Sequence, residues 1–213
     1  MMRACLFDFD GTLVDTKADI VASLARAFER CGILFREFPA EIVMQLQLRD
    51  AIAALAPETT VDKQEKIIAA FTDIYDTGDY PNTTLMPTVT DLLDEMKARS
   101  IKPFIVTNKR LAPTLFLLDK FKLRHLFGDV YAPDMVFGKR KTKIELLNDI
   151  IDAYSINKEA TFYVGDTEAD VVAARAAGLP TIAVKNGYGD VSRFTVRPDH
   201  VVSRIIDLLS LLG

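Results

Sequence analysis

Cysteine is scarce in this sequence: there are two in 213 residues, Cys5 and Cys31. They have no spacing that would suit a metal and no secretory context, so both are expected to be buried thiols without a role in function. An excess of basic charge is also missing. Twenty-six Lys and Arg stand against 30 Asp and Glu, for a net charge of −4, with no basic block or Lys/Arg-rich helix of the sort that tracks a phosphate backbone. A surface that tracks a phosphate backbone is therefore excluded, and nucleic acid is not expected as a partner. No apolar run approaches bilayer length, and Met1-Met2-Arg3 leads straight into an apolar stretch rather than a cleavable segment. The chain is thus expected to be cytoplasmic, with no membrane partner. There is no internal repeat and no low-complexity tract. What is present is 49% hydrophobic content over a length that can bury a full core.

The densest chemical signal is Asp8-Phe9-Asp10-Gly11-Thr12-Leu13-Val14-Asp15, directly after the apolar run Ala4-Cys5-Leu6-Phe7. Locally this is a short buried strand that stops in acid and glycine. At the carboxyl edge of a parallel sheet, Asp8 and Asp10 would face one crevice. Like charges that close repel unless protons or a cation neutralise them, and a hard divalent ion, Mg2+ above all, suits oxygen ligands. Turn chemistry alone accounts for Gly11 and Asp10 but not for Asp8.

Along the chain, Asp19 to Cys31 has the pattern of an amphipathic helix that Gly32 stops. A second helix is expected from Pro39 through Leu55 and a third from Val61 to Asp76. From Pro87 the pattern alternates. Helices are expected over 88–99, 112–122, 144–154 and 168–177, and strands over 102–107, 129–132, 161–165, 180–184 and 200–202, with a last helix to Leu212. Strands separated by helices imply an α/β fold, a Rossmann-like parallel sheet with helices on both faces and right-handed crossovers. The helical block then interrupts that core after its first strand. The expected division is a core of residues 1–15 and 82–213 and an inserted all-helical cap of residues 16–81.

Further strand ends carry polar residues: Thr107-Asn108-Lys109, and Gly165-Asp166-Thr167-Glu168-Ala169-Asp170. The cluster Lys139-Arg140-Lys141-Thr142-Lys143 precedes a helix. Each has an ordinary reading, as a helix cap, as acids complementing a helix dipole, or as a solvated loop. One sheet, however, would bring these strand ends to the same crevice as Asp8.

With these motifs in order, the chain resembles the haloacid dehalogenase superfamily, and within it the phosphoglycolate-phosphatase-like branch with a helical cap. The resemblance rests on Asp8-Phe9-Asp10-Gly11-Thr12, on Thr107-Asn108, and on Gly165-Asp166 through Asp170 followed by Ala173 to Gly178. Asn186-Gly187-Tyr188-Gly189 and Pro198 to Val202 add to it. It implies a Mg2+-dependent phosphatase that acts on a small phosphorylated metabolite through an aspartyl-phosphate, with phosphoglycolate as one substrate. It also implies roles. Asp8 is the nucleophile and Asp10 the acid and base. Mg2+ is held by the Asp8 carboxylate, the Asp10 carbonyl, Asp166 and Asp170. Thr107, a lysine, and backbone N–H groups near Gly11 and Asn108 cradle the phosphate. The lysine is Lys143, which opens a helix as in such relatives, or Lys141; the other lysines are expected in solvent.

Relatives in that branch often carry a glycine near Gln45 and a proline near Gln47, both absent here. Arg49 is a candidate for an anionic substrate group, or else an exposed residue paired with an acid. Asp15 is expected to be structural. A phosphomutase of the β-phosphoglucomutase type and a phospho-aspartate signalling module are the alternative functions, and either a monomer or a homodimer fits the sequence.

Overall fold

The computed structural model describes residues 3–35 and 37–212. In chain order it has β1 (Arg3–Phe7), β2 (Val14–Asp15), α1 (Lys17–Arg30), α2 (Ala40–Gln45), α3 (Leu48–Leu55), α4 (Val61–Asp76), β3 (Thr84–Leu85), α5 (Val89–Ala98), β4 (Ile101–Val106) and α6 (Leu111–Lys120). These are followed by β5 (Val130–Tyr131), α7 (Lys143–Tyr154), β6 (Phe162–Gly165), α8 (Glu168–Ala176), β7 (Thr181–Val184) and β8 (His200–Val202). The chain divides into two compact units, one of Met1–Asp15 with Leu85–Gly213 and one of Thr16–Thr84.

The first unit is built on a six-stranded sheet in the order β5-β4-β1-β6-β7-β8. Every recorded pairing in it is parallel, as the alternating pattern of helix and strand required. Ala4 and Leu6 pack with Phe104, Val106 and Tyr163 against Leu146, Leu147, Ile150 and Ala174 of α7 and α8. Cys5 and Phe7 point to the opposite face by strand alternation and are equally buried, so both faces of β1 are covered. Pro103 sits inside β4, an unusual place for a residue without an N–H. Odd-numbered residues there face β5: the Ile105 and Thr107 amides donate to the Asp129 and Tyr131 carbonyls, and the Gly128 amide donates to the Pro103 carbonyl. Strand β5 begins only at Val130, opposite Ile105, so at Pro103 no rung of that ladder is lost.

β1 is central. From it the chain builds β4 and β5 on one side, then returns to add β6, β7 and β8 on the other. This reversal opens a crevice at the carboxyl ends of β1, β4 and β6, where open α/β sheets bind ligands.

The second unit closes around Leu24, Ala27, Phe28, Val43, Ile52, Ala56, Ile67 and Ala70. Phe28, Phe35 and Phe38 add a cluster of edge-on and tilted rings, 5.0 to 6.0 Å between centroids. The single helix expected over 39–55 is two helices, because Leu46 and Gln47 are extended. Val43 and Ile52 explain the break. In one straight helix they would lie about two and a half turns apart, on opposite faces, and the interruption brings both into the same cluster. The unit's entry and exit are fastened by Asp19, which is buried. Its carboxylate accepts from the Asn82 backbone amide (3.1 Å), the Asn82 side-chain amide (2.9 Å) and the Thr83 hydroxyl (2.6 Å).

Two smaller expectations also change. The last helix is a 3-10 segment, Ile205–Ser210, which buries Ile205, Leu208 and Leu209. Cys5 is buried as expected, but Cys31, at the solvent-facing end of α1, is only half-buried. Among the described residues no helix is long and apolar enough to cross a membrane.

Candidate active site

β1 delivers Asp8 to the crevice, buried, with its amide donating to the Val164 carbonyl at 2.8 Å. The chain then turns tightly: the amides of Leu13 and Val14 both reach back to the Phe9 carbonyl. Gly11 adopts φ +81° in this turn, and a Cβ there would lie 2.4 Å from Asp166 Oδ2. Only glycine meets both demands. The turn also aims the Thr12 hydroxyl at Asp166 Oδ1, 3.0 Å away.

Asp166 follows β6 and is fully buried. Its second oxygen accepts the Tyr188 amide at 2.7 Å, and the Tyr188 hydroxyl donates to Asp15 Oδ1 at 3.0 Å. The loop after β7 comes this close because Gly187 has no side chain; a Cβ there would lie 2.1 Å from the Cβ of Asp166. Asp170 lies in the first turn of α8. Its Oδ2 accepts from the Thr167 amide (3.0 Å) and hydroxyl (2.6 Å), forming a capping box, and its Oδ1 faces Lys143 Nζ. The helix-terminal acid of the sequence reading is thus the same side chain that meets Lys143.

Lys143 is the first residue of α7, placed by a capping box between Thr142 and Glu145. Its Nζ sits 2.8 Å from Asp8 Oδ1 and also bonds Asp170, with its side chain 7% exposed. Lys141 goes elsewhere, to an ion pair with Asp149. Thr107 is buried at the end of β4, where its oxygen accepts the Lys109 amide at 3.1 Å. Asn108, next in the chain, is half-buried. Arg49 belongs to the other unit, where it is exposed and paired with Glu65.

One oxygen each from Asp8, Asp166 and Asp170 lie within 4.8 Å of one another. The Asp10 carboxylate is not part of this trio. It turns instead to Lys109, whose Nζ lies 3.1 and 3.3 Å from its two oxygens. The expectation that lysines other than Lys141 and Lys143 are solvated fails at Lys109, whose side chain is 4% exposed. Its position directly after Thr107-Asn108 was the available signal. Thr12 and Tyr188 were also missed, and for Tyr188 the flanking Gly187 and Gly189 were the clue.

The electrostatics of the trio are those of a site short of positive charge. Burial, together with the charges of Asp170 and Asp10, pushes Asp8 up to about 7 despite Lys143. Burial and the charges of Asp170 and Asp8 push Asp166 up to about 8, against the pull of the Tyr188 amide and the Thr12 hydroxyl. For Asp170 burial is outweighed by Lys143 and Thr167, and its carboxyl is lowered. Lys143 is raised, because Asp170 and Asp8 overcome its burial. Three buried carboxylates against one ammonium leave two negative charges uncompensated, which protons or one divalent cation can balance. The donor set, all carboxylate oxygen, fits a hard cation.

A family model described as haloacid dehalogenase-like hydrolase matches residues 5–184, from β1 through β7. The chain belongs to that family. It is 30% identical over 220 residues to a phosphoglycolate phosphatase of Chromobacterium violaceum, covering 99% of this chain and 96% of that one. A phosphoglycolate phosphatase of Aquifex aeolicus is 28% identical over 212 residues, covering 99% and 97%. The fold of this chain is similar to that of a haloacid dehalogenase-like hydrolase from Streptococcus pneumoniae, with TM-score 0.87 at 21% identity over 100% of this chain and 99% of the other. With these relatives, the protein is a hydrolase of the phosphatase type.

Proposed function

We propose that the protein is a Mg2+-dependent phosphatase that hydrolyses a small phosphomonoester through an aspartyl-phosphate on Asp8. The observation that carries this reading is the trio of Asp8, Asp166 and Asp170 with Lys143 against Asp8. In the first step an Asp8 oxygen attacks phosphorus. The bond from phosphorus to the ester oxygen breaks, and Asp10 gives its proton to the leaving alkoxide. In the second step Asp10 takes a proton from water as the water oxygen bonds phosphorus, the bond to Asp8 breaks, and phosphate leaves. Lys143 and the Thr107 hydroxyl hold the equatorial oxygens while charge shifts, with the amides near Gly11 and Asn108.

Asp8 and Asp166, with the Asp10 carbonyl and Asp170 directly or through water, would hold Mg2+. When bound, the ion screens the nucleophile from the phosphate and stabilises the transferring charge. Phosphoglycolate, named for the relatives, is the first substrate to try, although Gln45 and Gln47 replace the glycine and proline frequent in that branch. Arg49, engaged with Glu65, has the weaker claim to a substrate contact.

The test is a panel of phosphomonoesters with Mg2+, run beside Asp8→Asn. The expected result is phosphate release by the wild type and loss of nearly all turnover in a variant that still melts cooperatively. Turnover retained by Asp8→Asn refutes the nucleophile. Turnover that requires added sugar bisphosphate points to a mutase, and stable phosphorylation without release points to a signalling module.

A further inference from the structure

Lys109 is buried at the edge of the site, an expensive place for an ammonium group unless it is paired. Its amide and its ammonium group are both engaged. Its amide donates to the Thr107 hydroxyl oxygen at 3.1 Å, which ties its backbone to the end of β4. Its Nζ holds Asp10 Oδ1 at 3.1 Å and Oδ2 at 3.3 Å. A two-pronged contact of this kind sets both the place and the plane of a carboxyl group. It also accounts for an arrangement that sequence spacing does not: Asp8 and Asp10 leave the same turn, yet Asp8 joins the metal-type trio and Asp10 does not.

We infer that Lys109 is a positioning residue that reserves Asp10 for the leaving-group oxygen by holding its carboxyl away from Asp8, Asp166 and Asp170. The inference rests on the phosphatase reading above. Lys109 acts through Asp10, whose two oxygens its Nζ holds. The Thr107 link makes the device part of the same strand end that faces the phosphate, so Asp10 and Thr107 are set by one short segment.

The experiment compares Lys109→Met, Asp10→Asn and the double variant on two probes, an alkyl phosphomonoester that the wild type turns over and p-nitrophenyl phosphate. An alkyl leaving group needs a proton and nitrophenolate does not. The expected result for Lys109→Met is a fall in kcat/KM on the alkyl ester on the order of 10²-fold, the scale of a general acid's contribution; kcat/KM reports transfer to Asp8, whereas kcat also includes hydrolysis of the common aspartyl-phosphate, for which Asp10 is the base. The fall on p-nitrophenyl phosphate is expected to be at least tenfold smaller, and the double variant no worse than Asp10→Asn alone. Equal losses of kcat/KM on both probes, or additive losses in the double variant, overturn the inference. A wild type inactive on every phosphomonoester refutes the phosphatase reading instead, and the inference with it. Thermal melts of each variant separate these outcomes from misfolding.

Discussion

Removing divalent metal should make the protein less stable as pH rises through neutrality. Asp8 is pushed up to about 7 and Asp166 to about 8, from an ordinary value of 3.8. Between those limits the folded state holds protons that the unfolded chain has released, so stability falls with rising pH. The loss begins above the ordinary value and is complete above about 8. Asp170, lowered, and Lys143, raised, have their effects outside this window, at lower and higher pH respectively. Each group contributes up to about 1.4 kcal/mol per pH unit. From pH 5.5 to 7.0 one to two groups therefore amount to about 2 to 4 kcal/mol, or roughly 5 to 15 °C in Tm for a chain of this size. Scanning fluorimetry in EDTA across that range is the assay, repeated in excess Mg2+, which should displace the protons and flatten the slope. Asp8→Asn should roughly halve the slope in EDTA. A metal-free Tm that is flat or rises over this range, or the same slope with and without Mg2+, would refute the charge balance drawn for the trio.

Lys143→Met leaves Asp8 and Asp170 buried and facing each other, and should cost about 3 to 5 kcal/mol in metal-free chemical denaturation. Lys141→Met breaks a partly exposed pair with Asp149 and should cost about 1 kcal/mol or less; a reversed order would exchange their roles. Gly187→Ala puts a Cβ 2.1 Å from that of Asp166. It should cost about 1 to 3 kcal/mol and raise the Mg2+ concentration that half-saturates thermal stabilisation. An unchanged Mg2+ response would show that the loop does not hold Asp166.

The fold class could be read from the sequence because its signals are local. Helical and strand periods alternate after Pro87, and Ala4 to Phe7 reads as a core strand. Where Asp8, Asp166 and Asp170 meet follows from parallel strand order, which alternation implies without naming neighbours. The split at Leu46 could not be read, since neither glycine nor proline marks it and its cause is the shared burial of Val43 and Ile52. Lys141 and Lys143 differ by two residues. The cap at Thr142 sends one to Asp149 and the other to Asp8, a distinction made by the first turn of α7 rather than by spacing. Lys109 is expected in solvent with the other lysines, whereas in the structure the backbone tie to Thr107 and the pairing with Asp10 help to hold it inside.

The Asp19 carboxylate, bonded to Asn82 and Thr83, has a consequence for how such a protein diversifies. An insertion whose two ends are buttoned together behaves as a cassette. The helices between the ends can be lengthened, shortened or exchanged without pulling on Asp8 or on the strand that carries it. A lineage can therefore redraft the insertion while β1 and the turn that follows it stay fixed, provided the replacement brings its own button.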